Sequence, residues 1–168
     1  MYSFQICYEG DLTLELADAV RRLKGEPNFD KSWFVVSKKP RRSETLLRYL
    51  RQAAGGDGSL MVGRMIPHRT REFLLIRHSF THGFDYAPLL RGISSLGSVL
   101  DVQMRGTYVV RSSDPADAMT LGERLGELCP YDSLMVVGIS HDFSIWSSAV
   151  GMFTAAEEWL IRSEELRS

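Results

Sequence analysis

Ser32-Trp33-Phe34-Val35-Val36-Ser37 and Gly106-Thr107-Tyr108-Val109-Val110-Arg111 carry one pattern twice, displaced by 74 positions. Gly58-Ser59-Leu60-Met61-Val62-Gly63 and Asp132-Ser133-Leu134-Met135-Val136-Val137 stand at the same displacement. A pattern repeated at fixed displacement marks a folding unit used more than once. The chain is therefore expected to contain one unit twice and to be its own pseudo-dimer.

Working outward, the first unit opens on Tyr2-Ser3-Phe4-Gln5-Ile6-Cys7-Tyr8, where apolar and polar residues largely alternate as in a strand. Leu12, Leu16, Ala19, Val20 and Leu23 follow at helical spacing, with Gly25 as a stop. A short hairpin is expected over residues 29–37. Ser43 is a plausible N-cap for a helix carrying Leu46, Leu47, Leu50 and Ala53. Gly55-Gly56-Asp57-Gly58 breaks it, and Leu60 to Ile66 reads as a last strand.

The second unit repeats this order. Phe73-Leu74-Leu75-Ile76-Arg77-His78 reads as the strand, and Tyr86, Leu89, Leu90, Ile93 and Leu96 as a helix closed by Gly97. Residues 99–103 and 107–111 form the expected hairpin. Asp114 and Pro115 read as cap and first turn of a helix through Met119, Leu121, Leu125 and Leu128. Leu134 to Ile139 closes the unit. Two β-α-β-β-α-β patterns in series predict an α+β protein of two tandem ferredoxin-like (βαββαβ) units, with the first and third strands of each central.

The expected boundaries are residues 1–67 for unit 1, 71–146 for unit 2 and 147–168 for a C-terminal amphipathic helix. In that helix Phe153, Ala156, Trp159 and Leu160 share a face, suited to packing on the sheets or to a homodimer contact. Pro67-His68-Arg69-Thr70 is the expected junction, short and polar.

Composition is that of an ordinary globular protein, 44% hydrophobic and 24% charged. No apolar run approaches the ~20 residues that span a bilayer, and the first residues lack the basic leader and apolar stretch of a secretory signal. Cys7 and Cys129 show no CxxC spacing, so reduced buried thiols and a cytoplasmic location are expected. Net charge is −1, but residues 1–70 hold 12 Lys/Arg against 8 Asp/Glu, and residues 71–168 hold 8 against 13. Such a balance excludes a uniformly basic nucleic-acid surface and leaves room for a local one.

Phe73-Leu74-Leu75-Ile76-Arg77, Asp85-Tyr86-Ala87-Pro88-Leu89, Ser94-Ser95-Leu96-Gly97, Gly106-Thr107-Tyr108-Val109-Val110 and Tyr131-Asp132-Ser133-Leu134-Met135-Val136-Val137 resemble the SinR-like family of small bacterial proteins. Residues 142–146 are similar to its closing segment, and residues 2–66 are a weaker copy of the whole. That family stands in the superfamily of the CRISPR adaptation protein that partners the integrase, and of virulence-associated protein D. The resemblance implies a ferredoxin-like dimer touching nucleic acid. In some relatives an acidic residue after the first strand serves a metal-dependent endoribonuclease; others are non-catalytic scaffolds that hold DNA through basic residues.

In unit 1 the position after the first strand is Tyr8-Glu9-Gly10-Asp11. Glu9 and Asp11 are the candidate catalytic acids, able to hold Mg²⁺ through oxygen ligands if the nuclease reading applies. The relatives place Asp where Glu9 stands, unit 2 offers His78-Ser79-Phe80 there, and Asp11 suits a helix cap, so a symmetric two-acid site is broken and catalysis is not the leading expectation. His78, His82 and His141 are expected as surface-loop histidines, with His141 at the opposite sheet edge from His78, so no metal site is expected. Neither a Gly-x-Ser-x-Gly turn nor a P-loop is present.

Lys38-Lys39-Pro40-Arg41-Arg42 is the sharpest charged feature. These cations precede a helix start, where positive charge opposes the helix dipole and a phosphate would relieve the conflict. Arg48, Arg51, Arg64, Arg69 and Arg71 would extend the patch if they faced the same way. The expected function is a nucleic-acid-associated scaffold contacting DNA or RNA through Lys38, Lys39, Arg41 and Arg42, without a cofactor. The alternative is a protein-interaction module using the C-terminal helix and the acidic half.

Overall fold

The computed structural model describes residues 1–56, 58–66, 73–102 and 104–147. The expected linker at residues 67–70, Asp57, Arg69, Arg71 and the helix expected within 147–168 lie outside the described residues, Ser147 excepted. The fold is mixed α+β, with eight strands and four helices among the described residues. They divide into two compact units, one from Met1–Arg64 with residues 142–147, the other from Met65–His141.

Unit 1 runs β1 (Tyr2–Glu9), α1 (Leu14–Arg22), β2 (Glu26–Phe29), β3 (Ser32–Ser37), α2 (Ser43–Ala54) and β4 (Ser59–Met65). Its strands lie in the order β2-β3-β1-β4 with antiparallel neighbours. Phe4, Ile6 and Tyr8 recur at the strand period of two and so share one face. They pack with Val35, Leu60 and Val62 against Leu16, Ala19 and Val20 of α1 and Leu46, Leu47 and Leu50 of α2. Each Leu, Ile, Val or Phe among them stabilises the fold by about 1.5–3 kcal/mol on full burial. Helix α1 stops because Lys24 turns left-handed at φ 56° and the Gly25 N–H returns to the Val20 carbonyl.

Unit 2 runs β5 (Phe73–His78), α3 (Ala87–Ser95), β6 (Gly97–Asp101), β7 (Thr107–Ser112), α4 (Ala118–Gly126) and β8 (Leu134–Ser147). The order is β8-β5-β7-β6, again with antiparallel neighbours. Leu74, Ile76 and Val110 pack against Leu89, Ile93, Leu121 and Leu125 of the two helices. In both units the first strand lies between the third and the fourth, as its dense apolar content predicts.

Three sequence expectations change. Strand β8 does not stop at Ile139 but continues to Ser147. Its residues 142–147 group with unit 1, where Trp146 joins the core and the Ser59 and Ser147 hydroxyls meet at 2.9 Å. Helix α4 is capped by Asp117, whose carboxylate accepts from Thr120 N at 2.8 Å, and not by Asp114. Asp114 instead takes the Ala116 N–H and pairs with Arg124 at 2.9 Å.

The third change concerns the quoted repeat. Ladder register pairs Tyr8 with Leu60 and His78 with Leu134, so Tyr8 and His78 hold equivalent places in their units. Cys7 then pairs with Ser32 and Arg77 with Thr107, which equates Trp33 with Tyr108. The sequence match of these strands is therefore one residue out of step, enough to exchange the two faces of a strand. Backbone geometry agrees. Lys31 (φ 47°) and Gly106 (φ 66°) both turn left-handed, and their carbonyls accept the N–H of Tyr8 and His78, each at 2.9 Å.

Candidate functional site

Glu9 closes β1 opposite Ser59, half-buried, and Asp11 is exposed in the connection to α1. Asp11 does not cap that helix. Thr13 does, its hydroxyl accepting from Leu16 N at 3.1 Å and donating to the Ala53 carbonyl at 3.0 Å. The buried Tyr8 hydroxyl donates to the Asp11 carbonyl at 3.1 Å, and Lys31 Nζ donates to the Gly10 carbonyl at 2.6 Å. Gly10 and Gly58 bring the backbone close to the Tyr8 ring, and both have positive φ (140° and 106°), where a side chain would be strained. No group of three or more His, Cys, Asp or Glu side chains gathers as metal ligands among the described residues.

Lys38, Lys39, Arg41 and Arg42 are all exposed between β3 and α2, and none forms an ion pair with a described residue. Ser37 Oγ donates to the Lys39 carbonyl at 2.9 Å and shapes the start of this loop. Arg42, not Ser43, is the N-cap of α2, and its side chain makes no capping bond. Asp142 takes over that role from β8. Its Oδ1 accepts from the Ser43 N–H at 3.0 Å and the Ser43 hydroxyl at 2.8 Å, while Ser43 and Ser144 hydroxyls lie 2.9 Å apart. The anion expected at this helix start is thus supplied by the chain itself. Of the wider patch, Arg48 pairs with Glu44 at 2.6 Å, Arg51 lies 4.9 Å over the Trp146 ring and Arg64 lies 4.7 Å over Tyr2.

A second polar cluster, absent from the sequence expectations, lies where β5 ends. Asp132, in the turn before β8, accepts from Ser79 Oγ (3.1 Å) and Thr81 Oγ1 (2.8 Å) on one oxygen and from the Tyr86 hydroxyl (2.5 Å) on the other. Backbone bonds reinforce the joint: Ser79 N donates to the Ser133 carbonyl at 3.0 Å, and Ser133 N donates to Ser79 Oγ at 2.9 Å. Residues 79–86 are thereby fastened to residues 129–133.

His78 sits beneath this fastening and is only 3% exposed, not the surface histidine expected. The strand period explains it, because Leu74, Ile76 and His78 fall on the face that meets the helices. Its ring lies between Tyr86 (5.0 Å, stacked) and Tyr108 (6.2 Å, stacked), with Phe80 tilted against it at 4.6 Å. Phe80 in turn carries the Arg105 guanidinium 4.1 Å over its ring. His78 Nδ1 is 2.8 Å from the Ser79 carbonyl, so Nδ1 holds the proton and donates. Nε2 is left with a lone pair, buried and without a hydrogen-bond partner among the described residues. His82 is exposed in the loop, and His141 lies beyond Ile139, the partner of Phe73 at the far end of β5.

Burial pushes the His78 imidazole below its ordinary value, aided by the Arg105 charge and opposed by the Ser79 carbonyl and Asp132. Burial alone would raise the Asp132 carboxyl, but the hydrogen bonds from Tyr86, Thr81 and Ser79, aided by the nearby His78, outweigh it and hold it low. Burial and then Asp132 push the Tyr86 phenol and the Cys129 thiol up. The cluster is therefore an ionised carboxylate holding three hydroxyls beside a neutral imidazole. The sequence did carry a signal for it, namely a histidine in phase with the core residues of a strand, followed by Ser79, Phe80, Thr81, Phe84 and Tyr86.

No protein-family model matches the chain, and no curated protein matches it. Among solved structures it is similar to an unknown protein from Galdieria sulphuraria, at 12% identity over 83% of this chain and 99% of that one. The TM-score of that match is 0.29, which carries no argument about fold or function.

Proposed function

We propose that this chain is a nucleic-acid-associated scaffold of the cytoplasm, built as two tandem ferredoxin-like units that form an intramolecular pseudo-dimer of the SinR-like kind. The fold half of the reading is supported by the element order, by strand order β4-β1-β3-β2 in unit 1 and by its counterpart β8-β5-β7-β6 in unit 2. Cys7 and Cys129 are buried and not joined in a disulfide, which favours a reducing compartment.

The observation that carries the binding half is the loop at residues 38–42. Lys38, Lys39, Arg41 and Arg42 are exposed and make no ion pair with a described acid, so their charge is available to phosphates. With Asp142 already occupying the first turn of α2, the contact is made by these side chains and not by the helix terminus. Binding of this kind reads backbone charge and not sequence.

Binding of labelled DNA and RNA across a salt series tests this. Changing Lys38, Lys39, Arg41 and Arg42 together to Gln should lessen the log–log salt slope by up to about 3.6 for duplex DNA, at about 0.9 per phosphate contact. Absence of binding at low salt sinks the reading and leaves a protein-interaction module as the working alternative.

A further inference from the structure

We propose that His78 is the trigger of a proton-operated latch, in which uptake of a proton at Nε2 releases residues 79–86 from residues 129–133. The argument starts from the unpartnered nitrogen. Neutral His78 uses its single proton on the Ser79 carbonyl, and Nε2 costs only the hydrogen bond that a lone pair forgoes. Protonation turns Nε2 into a charged donor in the same buried place, where an unmet partner costs far more.

Charged and titratable groups lie on every element around His78, and Asp132, Arg105, Tyr86 and Tyr108 are the ones that act on or face its ring. Asp132 and Cys129 come from the turn before β8, Arg105 and Tyr108 from β7 and the residues leading into it, and Arg77 precedes His78 on β5. His82, Asp85 and Tyr86 belong to the fastened loop. Asp132 is the carboxylate that acts on His78, and both of its oxygens already hold loop hydroxyls. Nε2 makes no bond to Asp132 where the ring is seated, so an imidazolium could gain that carboxylate's remaining acceptor site only by shifting against Tyr86, which Asp132 holds. Its other recourse is water, reached by moving Phe80 and Tyr86 aside, and both rings ride on the same loop. Either course undoes the fastening. Arg105, already positive and stacked on Phe80, adds to the cost of keeping a second cation inside.

The sign follows from linkage. In the open loop His78 titrates near its ordinary 6.5, and in the closed loop it titrates lower. The open state therefore binds the proton more readily. Between the two values the opening equilibrium rises about tenfold for each unit of falling pH, and above 6.5 it is flat. Asp132, held below its ordinary carboxylate value, stays ionised from pH 8 down to pH 5.

Hydrogen exchange on the full chain, corrected for intrinsic rates and read from pH 8 to pH 5, tests the latch. Exchange in residues 79–86 and 129–133 should accelerate below about pH 6.5, while β1 and α2 in unit 1 hold steady as internal references. His78→Phe, which keeps a ring between Tyr86 and Tyr108, should abolish the acceleration, and His82→Asn should retain it. Acceleration shared by β1 and α2, persistence in His78→Phe, or indifference to pH in the natural chain would each overturn the proposal. Should His78→Phe fail to fold, ring-proton titration of His78 in the natural chain decides. A value below 6.5 supports the latch, and one at or above it refutes it.

Discussion

Tyr8 and His78 hold the same place in their ladders, yet they end their strands in opposite ways. Tyr8 is 1% exposed, and its hydroxyl finds the Asp11 carbonyl within a four-residue connection. His78 is 3% exposed, and its second nitrogen finds nothing among the described residues. The loops differ to match. After Tyr8 the backbone closes tightly, using Gly10 and Gly58 against the ring. After His78 a longer segment brings Ser79, Thr81 and Tyr86 onto Asp132, and Asp132 stands where the last-strand match places Gly58 in unit 1. Unit 1 closes this core end on a phenol–carbonyl bond, and unit 2 sets an ionisable ring at the corresponding ladder position.

That contrast is open to direct test, and the largest effect should come at its two centres. Tyr8→Ala removes a fully buried ring from the unit 1 core and should cost about 3–5 kcal/mol in urea unfolding at neutral pH. His78→Phe removes one hydrogen bond worth about 1 kcal/mol together with a buried orphan of similar cost. Stability at neutral pH should then move by no more than about 1 kcal/mol in either direction. Comparable losses from both substitutions would show that His78 is as much a structural pillar as Tyr8, and the contrast would fall.

The starts of the second helices make a second pair. In unit 1, Asp142 reaches α2 from a strand distant in sequence and satisfies both the Ser43 N–H and its hydroxyl. In unit 2, Asp117 caps α4 from the adjacent residue through one bond to Thr120. Asp142→Ala should cost about 1–3 kcal/mol, because it orphans the N–H of the buried Ser43 and leaves its hydroxyl only Ser144. Asp117→Ala should cost about 1 kcal/mol, the usual worth of an exposed cap. Equal losses in denaturant midpoints would argue that Asp142 adds nothing beyond local capping.

These pairs also show where the sequence was legible. The element order of each unit, and the central place of β1 and β5, could be read from apolar spacing because each strand and helix face is a local pattern. The register between β3 and β7 could not, since Trp33-Phe34-Val35-Val36 aligns plausibly with either neighbour of its true partner and only the hydrogen-bonded ladder chooses. Asp142 at α2 lay beyond reach for a similar reason. A cap 99 positions away in sequence has no spacing signature. Lys38, Lys39, Arg41 and Arg42 stand exposed as a charge run should, whereas His78 is buried because its phase with Leu74 and Ile76 points inward and outweighs the surface preference of its residue type.

The smallest effect separates the basic loop from the arginines beside it. Arg48 forms an exposed pair with Glu44 one helical turn away, an interaction worth about 0.3–0.5 kcal/mol. Arg48→Ala should therefore shift urea unfolding by less than about 0.5 kcal/mol. In the proposed nucleic-acid binding it should also leave the salt slope within about one unit of the natural protein's, since one cation accounts for at most about 0.9 of that slope. The four loop residues, removed together, should take several times as much. A slope that falls as far with Arg48→Ala as with the fourfold change would mean that α2, and not the loop before it, meets the phosphates. The binding surface would then have to be redrawn around a helix whose arginines are already engaged, Arg48 with Glu44 and Arg51 with Trp146.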